Sequence, residues 1–256
     1  MYHTYRISPK AAWAAHRFLK HRDTPLAGES RTSDWRLLAA EADSLRARCR
    51  EVQHLGSIFD QVCQYAGIAP DQHRGEMLPF LELLGARRPK VLCEIGSARG
   101  GSLFLFSHVA HPEARILSID ISNHGERRAL FRRLVQPDQH LTCIEGSSHS
   151  RATHEQFRSW VGNDPLDFLF IDGDHSLEGV ASDYERYGSF VRSAGLIAFH
   201  DIVPDYRTRY GIGTGTYAGG VPTFWSRLSK DTTHAYEFID HPLQDGYGIG
   251  AIEVTR

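Results

Sequence analysis

Leu166-Asp167-Phe168-Leu169-Phe170-Ile171-Asp172-Gly173-Asp174-His175, followed one helix length later by Gly195-Leu196-Ile197-Ala198-Phe199-His200-Asp201, decides the architecture of this chain. Each stretch is an apolar run of strand length that ends abruptly in acid and histidine. Continuous apolar strands of this kind are those of a parallel sheet covered on both faces. In an open parallel sheet, ligands bind outside the carboxyl ends of the strands. Asp172, Asp174, His175, His200 and Asp201 are therefore expected to converge on one rim of one crevice, where they suit a hard cation together with a proton acceptor.

The same strand pattern recurs in Val91 to Ile95, Arg115 to Asp120 and His140 to Glu145, and helix-length stretches separate all five runs. Alternating strands and helices imply an α/β, doubly wound parallel sheet with right-handed crossovers. The tail is different. Tyr236 to Asp240 and Tyr247 to Val254 are separated by a turn too short for a crossover helix, so these two are expected to pair antiparallel as a terminal hairpin. The expectation is thus a seven-stranded sheet, five strands parallel and two in the hairpin. Upstream, residues 1–88 read as a helical extension and residues 89–256 as the sheet domain. Ser8-Pro9 is a helix start, Thr24 to Thr32 a turn-rich break, Ser33-Asp34 the opening of a helix through Val52, and Gly67 and Gly85 are placed to end two later helices.

With 29 basic against 31 acidic residues the chain offers no electrostatic reason to bind nucleic acid or an anionic membrane, which leaves a small or neutral partner. No window approaches the roughly 20 apolar residues of a membrane-spanning helix, and Ala11 to Ala15 is too short for a signal peptide, so a cytoplasmic protein is expected. Cys49, Cys63, Cys93 and Cys143 lack C-x-x-C spacing and read as free thiols.

Glu94-Ile95-Gly96-Ser97-Ala98-Arg99-Gly100-Gly101-Ser102 follows the first strand and leads into an apolar helix. Glycines there let backbone approach a ligand, and the helix amino end favours a negative group. The second strand ends in Asp120, where a carboxylate can accept both hydroxyls of a ribose. The G-x-x-x-G-G spacing differs from G-x-G-x-x-G and, with the terminal hairpin, argues against a nicotinamide oxidoreductase. Glu145-Gly146-Ser147-Ser148-His149 ends the third strand, either as an adenine edge or as a plain polar loop.

Glu94-Ile95-Gly96, Asp120, the segment Phe170-Ile171-Asp172-Gly173-Asp174-His175-Ser176 to Asp183, His200-Asp201 and Gly220-Val221-Pro222-Thr223-Phe224-Trp225 together resemble the class I S-adenosylmethionine-dependent methyltransferases. Within them the resemblance is to the metal-dependent O-methyltransferases of the macrocin O-methyltransferase and cephalosporin-hydroxylase-like group, over about residues 70 to 254. It implies a Rossmann-like sheet, S-adenosylmethionine as cofactor, and a divalent metal, magnesium in the family. It also implies that the amino-terminal helices cover the substrate or contribute to a homo-oligomer. Cofactor contacts fall to Glu94, Gly96, Ser97, Gly101, Ser102, Asp120, Ser147 and Asp172. Asp172 and Asp201 become metal ligands and His175 the general base. His200 departs from the family, in which an acidic residue is common, so the expected metal set is Asp172, His200 and Asp201 with an imidazole that suits transition ions better than magnesium.

Methyl transfer needs alignment of donor and acceptor and an acceptor oxygen that can lose its proton. A sugar hydroxyl has a pKa far above that of imidazole, about 6.5, so His175 alone is mismatched, and a cation beside the oxygen closes the gap. The acceptor is expected to be a hydroxyl of a sugar, glycoside or oligosaccharide. A catechol-type phenol, or a catalytically silent nucleotide-binding module, are the alternatives. The glycine-rich loop Pro204 to Gly220, with Arg207, Arg209, Tyr210 and Tyr217, is expected to act as a lid whose aromatics stack on a sugar, with plain disorder as the alternative, and Asp183 as a surface or packing residue.

Overall fold

The computed structural model describes residues 35–50, 52 and 54–255. The features expected at Ser8-Pro9, Thr24 to Thr32 and Ser33-Asp34 lie outside the described residues. Among the described residues, three helices, α1 (Trp35–Cys49), α2 (Leu55–Val62) and α3 (Arg74–Arg87), precede β1 (Val91–Ile95), α4 (Gly101–Val109), β2 (Arg115–Asp120), α5 (Gly125–Leu134) and β3 (His140–Glu145). Then come α6 (Arg151–Val161), β4 (Leu166–Ile171), α7 (Leu177–Tyr187), β5 (Val191–His200), α8 (Tyr206–Tyr210), α9 (Val221–Leu228), β6 (Ala235–Phe238) and β7 (Ile249–Glu253). They form one seven-stranded sheet in the order β3-β2-β1-β4-β5-β7-β6. β1 to β5 run parallel, while β7 pairs antiparallel with both β5 and β6. The strand order reverses between β1 and β4, which opens the crevice where such sheets take ligands.

Strand alternation divides the core into two layers. Leu92, Phe168, Phe170, Leu196 and Ala198 face one side, where they meet Met77, Phe80 and Leu84 of α3 and Phe104 and Phe106 of α4. Cys93, Ile95, Leu169, Ile171, Ile197 and Phe199 face the other, against Phe157 of α6, Val180 and Tyr187 of α7 and Trp225 of α9. Phe80 touches the rings of Phe106, Phe168, Phe170 and Phe238. Burying a ring of that size stabilises the fold by about 1.5–3 kcal/mol, so α3 is bound into the core of the sheet. The packing runs without a break across residues 88 and 89, where the element pattern changes.

Two helix ends differ from expectation. Gly85 lies inside α3, and the helix stops instead at Arg88, whose φ of 45° is left-handed. A Cβ at Gly85 would stand 3.4 Å from Val109, so the glycine serves close approach of α3 to α4 rather than a cap. Gly67 lies in a turn beyond Cys63, which is the residue that closes α2. Among the described residues no helix is long and apolar enough to cross a membrane, and all four cysteines are free.

Candidate active site

The carboxyl ends of β1, β2, β3, β4 and β5 surround a cavity of about 820 Å³. At its β1 end the chain turns sharply at Gly96, where φ is +86° and a Cβ would collide with the carbonyl oxygen of Asp172, so glycine is required for β1 and β4 to lie this close. The loop that follows is tied down by Asp120, whose Oδ2 accepts the Ala98 N–H at 3.0 Å, while Oδ1 accepts the Ser122 N–H at 2.8 Å and the Ser122 hydroxyl at 2.6 Å. Arg127, also on the wall, donates to the carbonyl of Ala98. Ile121 leaves 77% of its side chain exposed beside Asp120 and gives this end an apolar surface.

The other end carries the acid and histidine of the two decisive strands. Asp201 follows β5 with a φ of 62°, a left-handed conformation that aspartate tolerates better than most residues, and its Oδ1 accepts the Tyr247 N–H at 2.9 Å. His175 Nε2 lies 3.3 Å from Asp172 Oδ1, and its Nδ1 lies 3.3 Å from Asp201 Oδ2 and 3.0 Å from the carbonyl of Tyr217. His200 Nδ1 lies 3.4 Å from Asp172 Oδ1 and 3.5 Å from Asp201 Oδ2. The two carboxylate oxygens are thus flanked by two imidazoles.

The charges are strongly coupled. The hydrogen bond to Asp172 outweighs burial and lifts His175 to about 9. Burial opposes charge on His200, yet the Asp172, Asp201 and Glu76 carboxylates prevail and hold it well above its ordinary value. Asp172 is partly buried on the cavity wall, which opposes its charge, and the facing His200 and His175 still pull it below the usual carboxylate range. Burial raises Asp201 above the usual carboxylate range, with the His200 and His175 imidazoles opposing it.

Asp172, His175 and Asp201 offer ligand atoms that all lie within 4.8 Å of one another, and Nδ1 of His200 approaches the same two carboxylate oxygens. Two carboxylates and an imidazole nitrogen fit a divalent cation. Ser176, not Asp172, caps the following helix, its Oγ accepting the Gly179 N–H at 2.9 Å, which leaves Asp172 free of that structural duty. Asp174 is half-exposed and accepts the Ser176 N–H at 2.8 Å.

Of the expected cofactor residues, Gly96, Asp120, Ser147 and Asp172 line the cavity, with His149 beside them. Glu94, Ser97, Gly101 and Ser102 sit behind the wall. Glu94 accepts the Ser102 hydroxyl at 2.5 Å, Ser97 meets the Ser118 hydroxyl at 2.8 Å, and a Cβ at Gly101 would collide with the Ile68 to Pro70 backbone. The reason is strand alternation, since Glu94 points to the opposite face from Ile95. Burial then raises Glu94 to about 8.

Asp183 is fully buried, the packing alternative of the two expected for it, with Oδ1 3.2 Å from His149 Nε2. The Pro204 to Gly220 loop is anchored near both ends. Asp205 caps α8 through the Thr208 N–H at 2.7 Å and also accepts the Ala218 N–H at 3.0 Å, and Gly220 N–H donates to the His175 carbonyl at 2.7 Å. Its middle, Gly215 to Tyr217, walls the cavity.

The segment before the sheet also enters the site, which the strand motifs did not announce. Gln72 Nε2 donates to Asp172 Oδ2 at 2.8 Å, Glu76 Oε1 lies 3.0 Å from His200 Nε2, and Asp71 lines the cavity. A signal for Glu76 exists: an acidic residue one turn before Phe80, on the buried stripe of an otherwise apolar helix face.

Residues 93–202 match a family described as a methyltransferase domain. A rhamnosyl O-methyltransferase of Mycobacterium leprae is 27% identical over 153 residues, 58% of this chain and 64% of that protein. One of Mycobacterium bovis is 22% identical over 189 residues, 72% of this chain and 75% of that protein. The chain therefore spans less than two thirds of the first of these relatives. In fold it is similar to an O-methyltransferase from Bacillus cereus in complex with SAH, with a TM-score of 0.54 at 16% identity over 85% of this chain and 100% of that one. Cofactor-bound Rv0187 from MTB gives a TM-score of 0.52 at 16% identity over 98% and 99%.

Proposed function

We propose that the chain is a class I S-adenosylmethionine-dependent O-methyltransferase, that its acceptor is a hydroxyl of a sugar, glycoside or oligosaccharide, and that transfer depends on a divalent cation; the methyltransferase-domain match over residues 93–202 and the O-methyltransferase relatives support this reading. The observation that carries this reading is the meeting of Asp172, His175, His200 and Asp201, with neighbouring atoms 3.3–3.5 Å apart, on the same cavity as Gly96 and Asp120. The curated relatives support the sugar, as they are named rhamnosyl O-methyltransferases.

In this reading Gly96 and the adjoining backbone receive the methionine part of the cofactor, Asp120 accepts its ribose hydroxyls, and Ser147 with Ile121 flanks its adenine. The cofactor supplies an electrophilic methyl group. Asp172, His200 and Asp201 hold the cation, which supplies positive charge beside the acceptor oxygen and lowers the cost of removing its proton. His175 is placed to take that proton at Nε2 once a cation on Asp172 and Asp201 offsets the carboxylate charge that keeps the imidazole protonated, while its Nδ1 faces the Tyr217 carbonyl at 3.0 Å. Tyr217, 60% exposed, lies parallel to the His175 ring with centroids 6.2 Å apart and offers an aromatic face to a sugar ring. Most of the catalysis is positioning for an in-line displacement. A panel of rhamnosides, other glycosides and catechol, assayed with labelled S-adenosylmethionine, tests the acceptor class: transfer to glycosides is expected, and transfer confined to catechol overturns it.

A further inference from the structure

Glu76 stands 124 residues before the histidine it faces. Its carboxylate is fully buried and surrounded by donors. Oε1 accepts the His73 N–H at 2.9 Å and meets His200 Nε2 at 3.0 Å, while Oε2 accepts the Gly248 N–H at 2.5 Å and faces Gln244 Nε2 at 3.5 Å. A carboxylate held by backbone N–H groups can only accept, so the nitrogen of His200 that faces it carries a hydrogen. The other nitrogen, Nδ1, is then the atom that can offer a lone pair, and it is the one within 3.5 Å of both Asp172 Oδ1 and Asp201 Oδ2. Metal-binding histidines are oriented in this way, with the far ring N–H held by a carboxylate that fixes tautomer and ring plane. His175 has the complementary arrangement. Its Nδ1 faces the Tyr217 carbonyl at 3.0 Å, and its Nε2 lies toward the cavity wall at 3.3 Å from Asp172 Oδ1.

We propose that Glu76 is a positioning residue that fixes His200 with Nδ1 directed at Asp172 and Asp201, so that imidazole is the third donor of the cation site and the site selects a later transition ion such as Co²⁺ or Zn²⁺ over Mg²⁺. The inference rests on the reading of Asp172 and Asp201 as cation ligands. Nitrogen in the donor set disfavours magnesium, which prefers six oxygens in a near-ideal octahedron, and suits later divalent ions. It also makes the helix before the sheet a part of the site, since without α3 the His200 ring has no partner for Nε2 among the contacts described.

The test is ¹⁵N-histidine spectroscopy of the full chain with S-adenosylhomocysteine, titrated with Zn²⁺ as a diamagnetic probe, alongside calorimetry with Co²⁺ and Mg²⁺. We expect the His200 Nδ1 resonance to move on Zn²⁺ addition while Nε2 keeps its proton, and Co²⁺ to bind more tightly than Mg²⁺. Glu76→Gln should weaken Co²⁺ about 10–100-fold and alter its visible absorption while leaving S-adenosylhomocysteine affinity unchanged. Zn²⁺ binding that leaves His200 Nδ1 unmoved, or equal affinity for Co²⁺ and Mg²⁺, overturns this inference and leaves the cation reading standing. Failure of every divalent ion to bind overturns both. Should Glu76→Gln not fold, the spectra of the unaltered chain decide the matter alone.

Discussion

His175 Nε2 lies 3.3 Å from Asp172 Oδ1, three residues earlier in the chain, so the first residue after β4 and the residue before the α7 cap form one acid–base unit at the mouth of the crevice. If His175 takes the acceptor proton, His175→Ala should lower turnover at saturating substrates by about 10²–10⁴. Single-turnover methyl transfer, with cofactor affinity measured in parallel, checks this. A loss under about tenfold with intact cofactor binding would assign the proton to another group, and His149 on the same wall would be next.

Asp120→Ala removes the carboxylate at the end of β2 that the ribose is proposed to meet. A hydrogen bond to a charged group is worth about 1.5–3 kcal/mol, so S-adenosylhomocysteine should bind roughly 10–100-fold more weakly. Titration calorimetry reads the change directly. Unaltered affinity would take Asp120 out of the cofactor site.

Gly96→Ala should destabilise the chain and weaken cofactor binding together. The added Cβ meets the Asp172 backbone, and φ at this position is +86°. The backbone term alone is about 1–3 kcal/mol. A chemical denaturation midpoint equal to that of the unaltered chain would contradict the close β1–β4 approach.

Glu94 gives a pH signature of stability. Burial raises its folded pKa from 4.5 to about 8, so its contribution is fully present below the unfolded value and is lost as pH rises through the folded one. Cofactor-free stability should therefore fall between about pH 4.5 and 8, by on the order of a few kcal/mol. Glu94→Gln should flatten that fall. The same pH dependence in both proteins, measured by urea unfolding, would sink the assignment.

The sheet was legible because its central strands β1, β4 and β5 carry apolar runs on both faces and all its strands end in turns or charge, a pattern that survives without tertiary information. The rim residues were legible for the same reason, as each terminates a strand whose direction is known. Glu94 and Ser102 were placed at the cofactor by their proximity to Gly96, but strand alternation turns Glu94 away from the crevice and onto Ser102. Gln72 and Glu76 escaped because their partners Asp172 and His200 lie 100 and 124 residues away, and nothing local in a helix start declares such a contact. Gly85 read as a helix stop, whereas packing of α3 on Val109 of α4 decides its use.

Cation-assisted sugar O-methylation stands or falls on methyl transfer from S-adenosylmethionine to a rhamnoside after exhaustive chelation, confirmed by elemental analysis, and again after a divalent ion is restored. Turnover should disappear on chelation while cofactor binding persists, and a restored divalent ion should bring turnover back. Full transfer by the metal-free protein would contradict cation assistance, and Asp172, His200 and Asp201 would then be a buried charge network that shapes the crevice without holding a cation.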